Sequence, residues 1–218
     1  MPDYPARRTM MVDTQIRPSD VTKFPIIDAF LRIPREVFVP PHLREAAYAG
    51  ENLMLGDGNR CVLEPRTLAK MLDALNISRS ELVLDVGCGL GYSTAVIAQL
   101  AQAVVGVEAN DSFAAEAQTN LGAQAIDNAV VQNGPLTDGD AQHGPYDVIV
   151  VQGGAEVFPE TLAAQLKDGG RVACLFMSGA LGVVRLGVHQ HGTIAWRDIF
   201  NAAAPVIAGF GKTPEFTL

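Results

Sequence analysis

Cysteine is scarce in this 218-residue chain: Cys61, Cys88 and Cys174 are scattered, with no CxxC spacing. That pattern excludes a disulfide framework and a thiolate zinc site, and it predicts reduced thiols in a cytoplasmic protein. Positive charge is also short, since 16 Lys and Arg against 24 Asp and Glu leave a formal net charge of −8. Such a balance argues against non-specific attraction to nucleic acid or to an anionic membrane. The opening residues, MPDYPARRTM, lack the apolar centre of a signal peptide. The longest apolar run, VACLFMSGALGVV, is too short and too rich in glycine to span a bilayer. The four histidines, His42, His143, His189 and His191, are dispersed, so no metal site is expected. No internal repeat or low-complexity tract interrupts the chain. What is present, 48% hydrophobic and 18% charged residues, describes a globular protein with one sizeable core.

The rhythm of the chain changes near residue 80. Before it, residues 1–20 predict an arm or a loosely held first helix. VTKFPIIDAFLRI (21–33) carries apolar residues at helical spacing and stops at Pro34. LMLGDGNRCVLEP predicts a loop or β-ribbon turning at Gly56 and Gly58, and PRTLAKMLDALNI (65–77) a helix with proline in its first turn. After it, the short apolar strands LVLDV, AVVGVEA, AVVQNG, YDVIVVQGG and GRVACLF alternate with helical segments, the last of these being PETLAAQLKDGG. The strands lack period-2 alternation, as expected where helices cover both faces of a parallel sheet. The expected fold is therefore α/β, a Rossmann-like doubly wound sheet carrying an N-terminal helical cap. Residues 1–80 form the cap and substrate loop and 81–218 the ligand-binding part of one compact unit, with a weakly patterned tail that would add a closing hairpin.

The stretch VLDVGCGLGYS (83–93) holds the chemistry. Gly87, Gly89 and Gly91 follow a strand and open a helix, where a tight turn without Cβ atoms lets a ligand lie against the backbone. Dinucleotide sites favour GxGxxG, but the sixth place here is Tyr92. Glu108 ends the next strand, 21 positions after Gly87, where an acid accepts hydrogen bonds from ribose hydroxyls. Asp85 lies two residues before the first glycine. An acid at that point suits a ligand bearing ammonium or sulfonium rather than pyrophosphate, so S-adenosylmethionine fits better than NAD. The bland alternative is that the glycines serve strand–helix packing alone.

These residues resemble a known family. DVGCGLGYSTAVIAQLA followed by VVGVE is similar to the cofactor motif of class I methyltransferases. MVDTQI, IPREVFVPP, AYAGENLMLGDG, LEPRTLAKML and GPYDVIVVQGGAEVFPETLAAQLKDGGRV occur in the order found in protein-L-isoaspartate O-methyltransferases, over roughly residues 10–175. The resemblance implies transfer of a methyl group from S-adenosylmethionine to an isoaspartyl carboxylate in a damaged protein or peptide. It implies cofactor contacts at Asp85, Gly87, Cys88, Gly89, Gly91, Tyr92, Glu108, Ala109, Gly134, Pro135 and Leu136.

The chain also departs from the family. The family loop G-x-G-Q-T-I-S-Q-P becomes GDGNRCVLEP, one residue longer, with Leu63 in the slot of a serine associated with the substrate carboxylate. Leu63 cannot donate a hydrogen bond, and Glu64 beside it would repel a carboxylate. Arg60 is either a compensating carboxylate ligand or a solvated loop residue. Pro135 replaces the aspartate expected at the adenine, leaving Asn133 or Asp138 as substitutes. The family's TAA becomes Gln152, Gly153 and Gly154, which opens room and removes a hydroxyl. Alternatives therefore stay open: a small-molecule or RNA acceptor, a cofactor-binding protein without transfer activity, or an NAD-dependent dehydrogenase.

Overall fold

The computed structural model describes residues 3–56 and 59–212; Gly58 of the expected ribbon turn lies outside them. The cap begins with α1 (Tyr4–Met11), which continues through a π-helical turn at Val12–Ile16, and is followed by α2 (Phe24–Arg32). Two 3-10 segments lead to a ribbon of β1 (Leu53–Met54) and β2 (Cys61–Val62), then α3 (Pro65–Leu75). The α/β part runs β3 (Leu82–Val86), α4 (Tyr92–Ala98), β4 (Ala103–Glu108), α5 (Asp111–Ala123), β5 (Ala129–Asn133) and β6 (Tyr146–Ala155). It ends with α6 (Glu160–Ala163), β7 (Leu166–Ser178), β8 (Leu181–Gln190) and β9 (Thr193–Asn201).

Seven of these strands form one sheet in the order β5-β4-β3-β6-β7-β8-β9. Strands β5 to β7 of that order pair parallel, and β8 and β9 add antiparallel. The chain winds outward from β3 through β4 to β5, then returns to place β6 on the other side of β3. The reversal opens a crevice at the carboxyl ends of β3, β4 and β6, where open α/β sheets bind ligands. The glycine turn sits at that point.

Successive side chains of β3 serve opposite faces: Val83 joins one apolar cluster and Leu84 the other. The first cluster runs without a break from Met11, Phe30 and Phe38 of the cap through Leu72 to Tyr92, Val96 and Ala173. Each such large side chain removed from water contributes ~1.5–3 kcal/mol, which fastens the cap to the sheet.

Two expectations are corrected. The first helix is not loosely held, because Met11, Val12 and Ile16 are buried and Asp3 Oδ1 caps α1 by accepting from Ala6 N at 3.0 Å. The helix expected over PETLAAQLKDGG reduces to four residues, since Tyr146 N bonds to Gln165 O at 2.7 Å and Leu166 pairs with Tyr146. Sheet pairing thus captures the chain before Gly169 and Gly170, which break a helix in any case. The closing hairpin is present as β8–β9, and residues beyond it turn back over the sheet's carboxyl end.

Candidate functional site

Two acids mark the ends of neighbouring strands, and both are fully buried. Glu108, the last residue of β4, receives Gly89 N on Oε2 at 2.7 Å, and Ala109 N and Asn110 N on Oε1 at 3.0 and 3.2 Å. The glycine turn and the start of α5 thus orient its carboxylate. Asp85, on β3, accepts from Ser93 Oγ and Thr94 Oγ1 at 2.6 and 2.7 Å and from Gln152 Nε2 at 2.8 Å. Burial pushes the Asp85 carboxyl above its ordinary range, and these three hydrogen bonds oppose that rise. Its two oxygens are turned into the fold, so Asp85 braces the turn against α4 and β6.

Gly87, Gly89 and Gly91 all have positive φ, at 79°, 57° and 95°. Their missing Cβ atoms serve different neighbours. A Cβ on Gly91 would lie 3.3 Å from Ala117 Cβ, so that glycine lets α5 approach the turn. A Cβ on Gly89 would meet Leu55 Cδ1 at 2.9 Å, and one on Gly87 would meet Arg60 Nη2 at 2.7 Å. The ribbon therefore lays Leu55 and Arg60 onto the two glycines that end β3.

Arg60 is 3% exposed, which rules out the solvated-loop reading. Its guanidinium grips Glu108 through Nη2–Oε2 at 2.9 Å and Nε–Oε1 at 3.3 Å. Nη2 also donates to the Gly87 carbonyl and Nη1 to Gln152 O at 3.2 Å. Arg60 does hold a carboxylate, as its chemistry suggested, but the carboxylate belongs to the chain itself. Removing one partner of such a buried pair costs about 3–5 kcal/mol.

The other expected site residues disperse. Leu63 is 2% exposed within the apolar core, and its carbonyl accepts from Arg35 Nη2 at 2.8 Å. Glu64 precedes α3 and accepts from Thr67 Oγ1 at 2.6 Å. Tyr92 points into the cap, beneath the Arg35 guanidinium at 4.7 Å and beside Phe30 and Phe38. Leu136 packs into the opposite core with Phe210. Gly134 N bonds to Glu108 O at 3.1 Å and Pro135 accepts from Asp138 N, so both shape a turn beside β4. Asn133 Nδ2 bonds to Glu108 O at 3.2 Å, adjoining that turn. Burial first, and then the nearby Asp85 and Glu108 carboxylates, push the Cys88 thiol well up, so it stays protonated and unreactive.

Sequence reasoning did not single out the 203–207 segment of the tail as part of the site. A Cβ on Gly154 would lie 2.6 Å from Ala204 O, and one on Gly153 would lie 2.4 Å from Ile207 Cγ2. Gly154 N bonds to Pro205 O at 2.8 Å and Ile207 N returns to Gly154 O at 3.0 Å. The room that these glycines open is thus filled by the chain's own carboxyl-terminal segment. Asn52 Nδ2 holds Ala203 O at 2.8 Å and Asn59 Nδ2 holds Val206 O at 3.3 Å, so ribbon and tail cover the crevice together. The adjacent glycines after β6 were the available signal, because paired glycines at a strand end mark close backbone approach. Among the described residues, no group of three or more His, Cys, Asp or Glu could hold a metal ion, and no helix is long and apolar enough to cross a membrane.

Comparison with known proteins bears on this arrangement. The family model described as protein-L-isoaspartate(D-aspartate) O-methyltransferase matches residues 6–178. A protein-L-isoaspartate O-methyltransferase of Pelotomaculum thermopropionicum is 37% identical over 165 residues, 76% of this chain and 72% of that relative. Its namesake in Roseiflexus castenholzii is 33% identical over 215 residues, 98% and 97% of the two chains, so the similarity extends through the tail. A solved structure of a protein-L-isoaspartate O-methyltransferase superposes with a TM-score of 0.81 at 25% identity, over 94% of this chain and 67% of that one.

Proposed function

This chain belongs to the protein-L-isoaspartate(D-aspartate) O-methyltransferase family, and on that premise we propose that it methylates a carboxylate of a damaged protein or peptide from S-adenosylmethionine. The observation that carries the reading is the buried carboxylate of Glu108, fixed by three backbone N–H groups beside a glycine turn at the sheet's switch point. The acceptors there fit the cofactor's chemistry: Glu108 suits ribose hydroxyls, and the Gly87 carbonyl suits a cationic donor. That a guanidinium satisfies both at present is itself a sign that the recess selects positive charge and N–H or O–H donors.

When bound, S-adenosylmethionine supplies an electrophilic methyl group, which a carboxylate oxygen takes as the carbon–sulfur electron pair returns to sulfur. The acceptor carboxyl has an ordinary pKa near ~4, so at neutral pH it is ionised and the chain needs no general base. The residues present accordingly align and dehydrate. Gly89 N, Ala109 N and Asn110 N hold Glu108 in register, and the 203–207 segment seated on Gly153 and Gly154 keeps water from the crevice. Three free buried cysteines and a net charge of −8 support a cytoplasmic setting and a protein rather than nucleic-acid substrate.

A second reading changes the acceptor. Leu63 offers no hydroxyl and the tail occupies the space beside Gly153 and Gly154, both of which favour a small-molecule acceptor or a family member without isoaspartyl activity. Incubation with methyl-labelled S-adenosylmethionine separates the two. Base-labile label on an isoaspartyl peptide, and none on its aspartyl counterpart, is the expected result. An unlabelled isoaspartyl peptide, under conditions where another family enzyme labels it, would contradict the first reading.

A further inference from the structure

Resting on the cofactor reading above, we infer that Arg60 is a resident competitor for the cofactor's place: it occupies Glu108 and the Gly87 carbonyl until the cofactor displaces it. The argument begins with space. A Cβ on Gly87 would collide with Arg60 Nη2 at 2.7 Å, so the recess left by this glycine is filled by the guanidinium. The second recess, at Gly89, is filled by Leu55 of the same ribbon.

Chemistry points the same way. Guanidinium has five N–H donors and no acceptor, and here four hydrogen bonds run to a carboxylate and two carbonyls. A nucleoside cation needs that same carboxylate for its hydroxyls. Both cannot bond Glu108 together, because its remaining lone pairs already receive Gly89, Ala109 and Asn110 N–H. Without either partner, a fully buried carboxylate would be uncompensated, which is why the chain supplies a cation of its own.

The attachment of Arg60 allows release. It stands at the end of a ribbon with only two residue pairs, Leu53 with Val62 and Met54 with Cys61, closed by Leu55 N to Arg60 O at 2.9 Å. The side chains of Leu53, Leu55, Cys61 and Val62 bury the ribbon in the main core, and amide bonds from Asn52 and Asn59 tie it to the tail, so what can yield is its open end at Arg60. The acid, the glycine turn and α5 are built on the parallel sheet. Binding thus draws Arg60 and the ribbon's open end away rather than the sheet, and the affinity observed is lowered by the fraction of molecules in which Arg60 is docked.

The test is calorimetric titration of S-adenosylhomocysteine into the wild-type chain, Arg60→Ala and the charge-neutral Arg60→Gln, each also melted with and without the ligand. If Arg60 is docked in more than ~90% of unliganded molecules, either variant binds roughly tenfold or more tightly than wild type. The variants melt below wild type without ligand, and the gap closes at saturation. Binding equal to or weaker than wild type, with the stability gap unchanged by ligand, would give Arg60 a merely structural role and overturn the inference while leaving the cofactor reading intact. Failure of wild type and variants alike to bind would overturn both. Should both variants fail to fold, amide exchange on wild type decides: the amide of Leu55, which bonds to Arg60 O, exchanges faster with S-adenosylhomocysteine bound, and slower exchange there contradicts the inference.

Discussion

The ends of β3 and β4 lie side by side in the sheet, each carries a buried acid, and the two acids are neutralised in opposite ways. Asp85 is satisfied by Ser93, Thr94 and Gln152, from the helix and strand packed directly upon it. Its partners are uncharged and are carried by α4 and β6, which pack directly against β3. Glu108 is satisfied in part by backbone N–H groups, but its charge is met by Arg60, 48 residues away in sequence on a two-stranded ribbon. The first arrangement locks a turn; the second can be exchanged. A buried carboxylate whose charge is met by a long side chain from the open end of a two-stranded ribbon is the one able to accept a ligand.

The largest expected effect comes from breaking the exchangeable pair from the acid's side. Glu108→Ala strands the Arg60 guanidinium among carbonyls and should cost about 3–5 kcal/mol in urea unfolding, with loss of S-adenosylhomocysteine binding. Adding Arg60→Met to that variant should recover much of the stability but none of the binding. If the double variant were no more stable than Glu108→Ala alone, the two side chains would not be coupled.

Asp85→Asn should cost less, about 1–3 kcal/mol, since the amide oxygen can keep Gln152 Nε2 while the new NH2 faces Ser93 and Thr94, whose hydroxyls must turn from donating to accepting. Its pH dependence sharpens the comparison. Burial, only partly opposed by its hydrogen bonds, holds the folded Asp85 carboxyl above its ordinary value of 3.8. The folded chain therefore binds that proton more tightly, and the resulting stability is complete below pH 3.8 and lost as pH rises through the folded value. The stability advantage of wild type over Asp85→Asn should shrink as pH rises; an advantage that grew would contradict this account of Asp85.

A surface acid gives the smallest effect and the opposite sign. Burial raises Glu81, but hydrogen bonds from Arg171 at 2.9 Å and from Ser78 N outweigh it and hold its carboxyl below the ordinary 4.5. Its contribution is present above pH 4.5 and is lost as pH falls through the lower folded value. Because the pair is half-buried and Arg171 also donates to the Leu75 and Asn76 carbonyls, Arg171→Ala should cost about 1 kcal/mol at neutral pH and weaken this acid-side loss. Unfolding curves at several pH values, compared with wild type, check both points.

Much of the parallel half was legible in the sequence because local signals and tertiary demands agree there. LVLDV and YDVIVVQGG are largely apolar and lack period-2 alternation since both faces of β3 and β6 are covered, and Gly87 to Gly91 announce the turn. The destination of Arg60 was not legible, because nothing in GDGNRCVLEP states which acid a ribbon arginine will meet across 48 positions. Asp85 was visible as an acid, but its direction depends on Ser93, Thr94 and Gln152 arriving from two other elements. The shortened α6 and the seat of the tail on Gly154 were set by sheet pairing and backbone approach, which outrank local propensity.

The most direct measurement of the central claim is a crystal structure of the wild-type chain with S-adenosylhomocysteine. The exchange account requires ribose hydroxyls on the Glu108 carboxylate and an Arg60 guanidinium withdrawn from both Glu108 and the Gly87 carbonyl. A ligand bound while Arg60 keeps those bonds would contradict it.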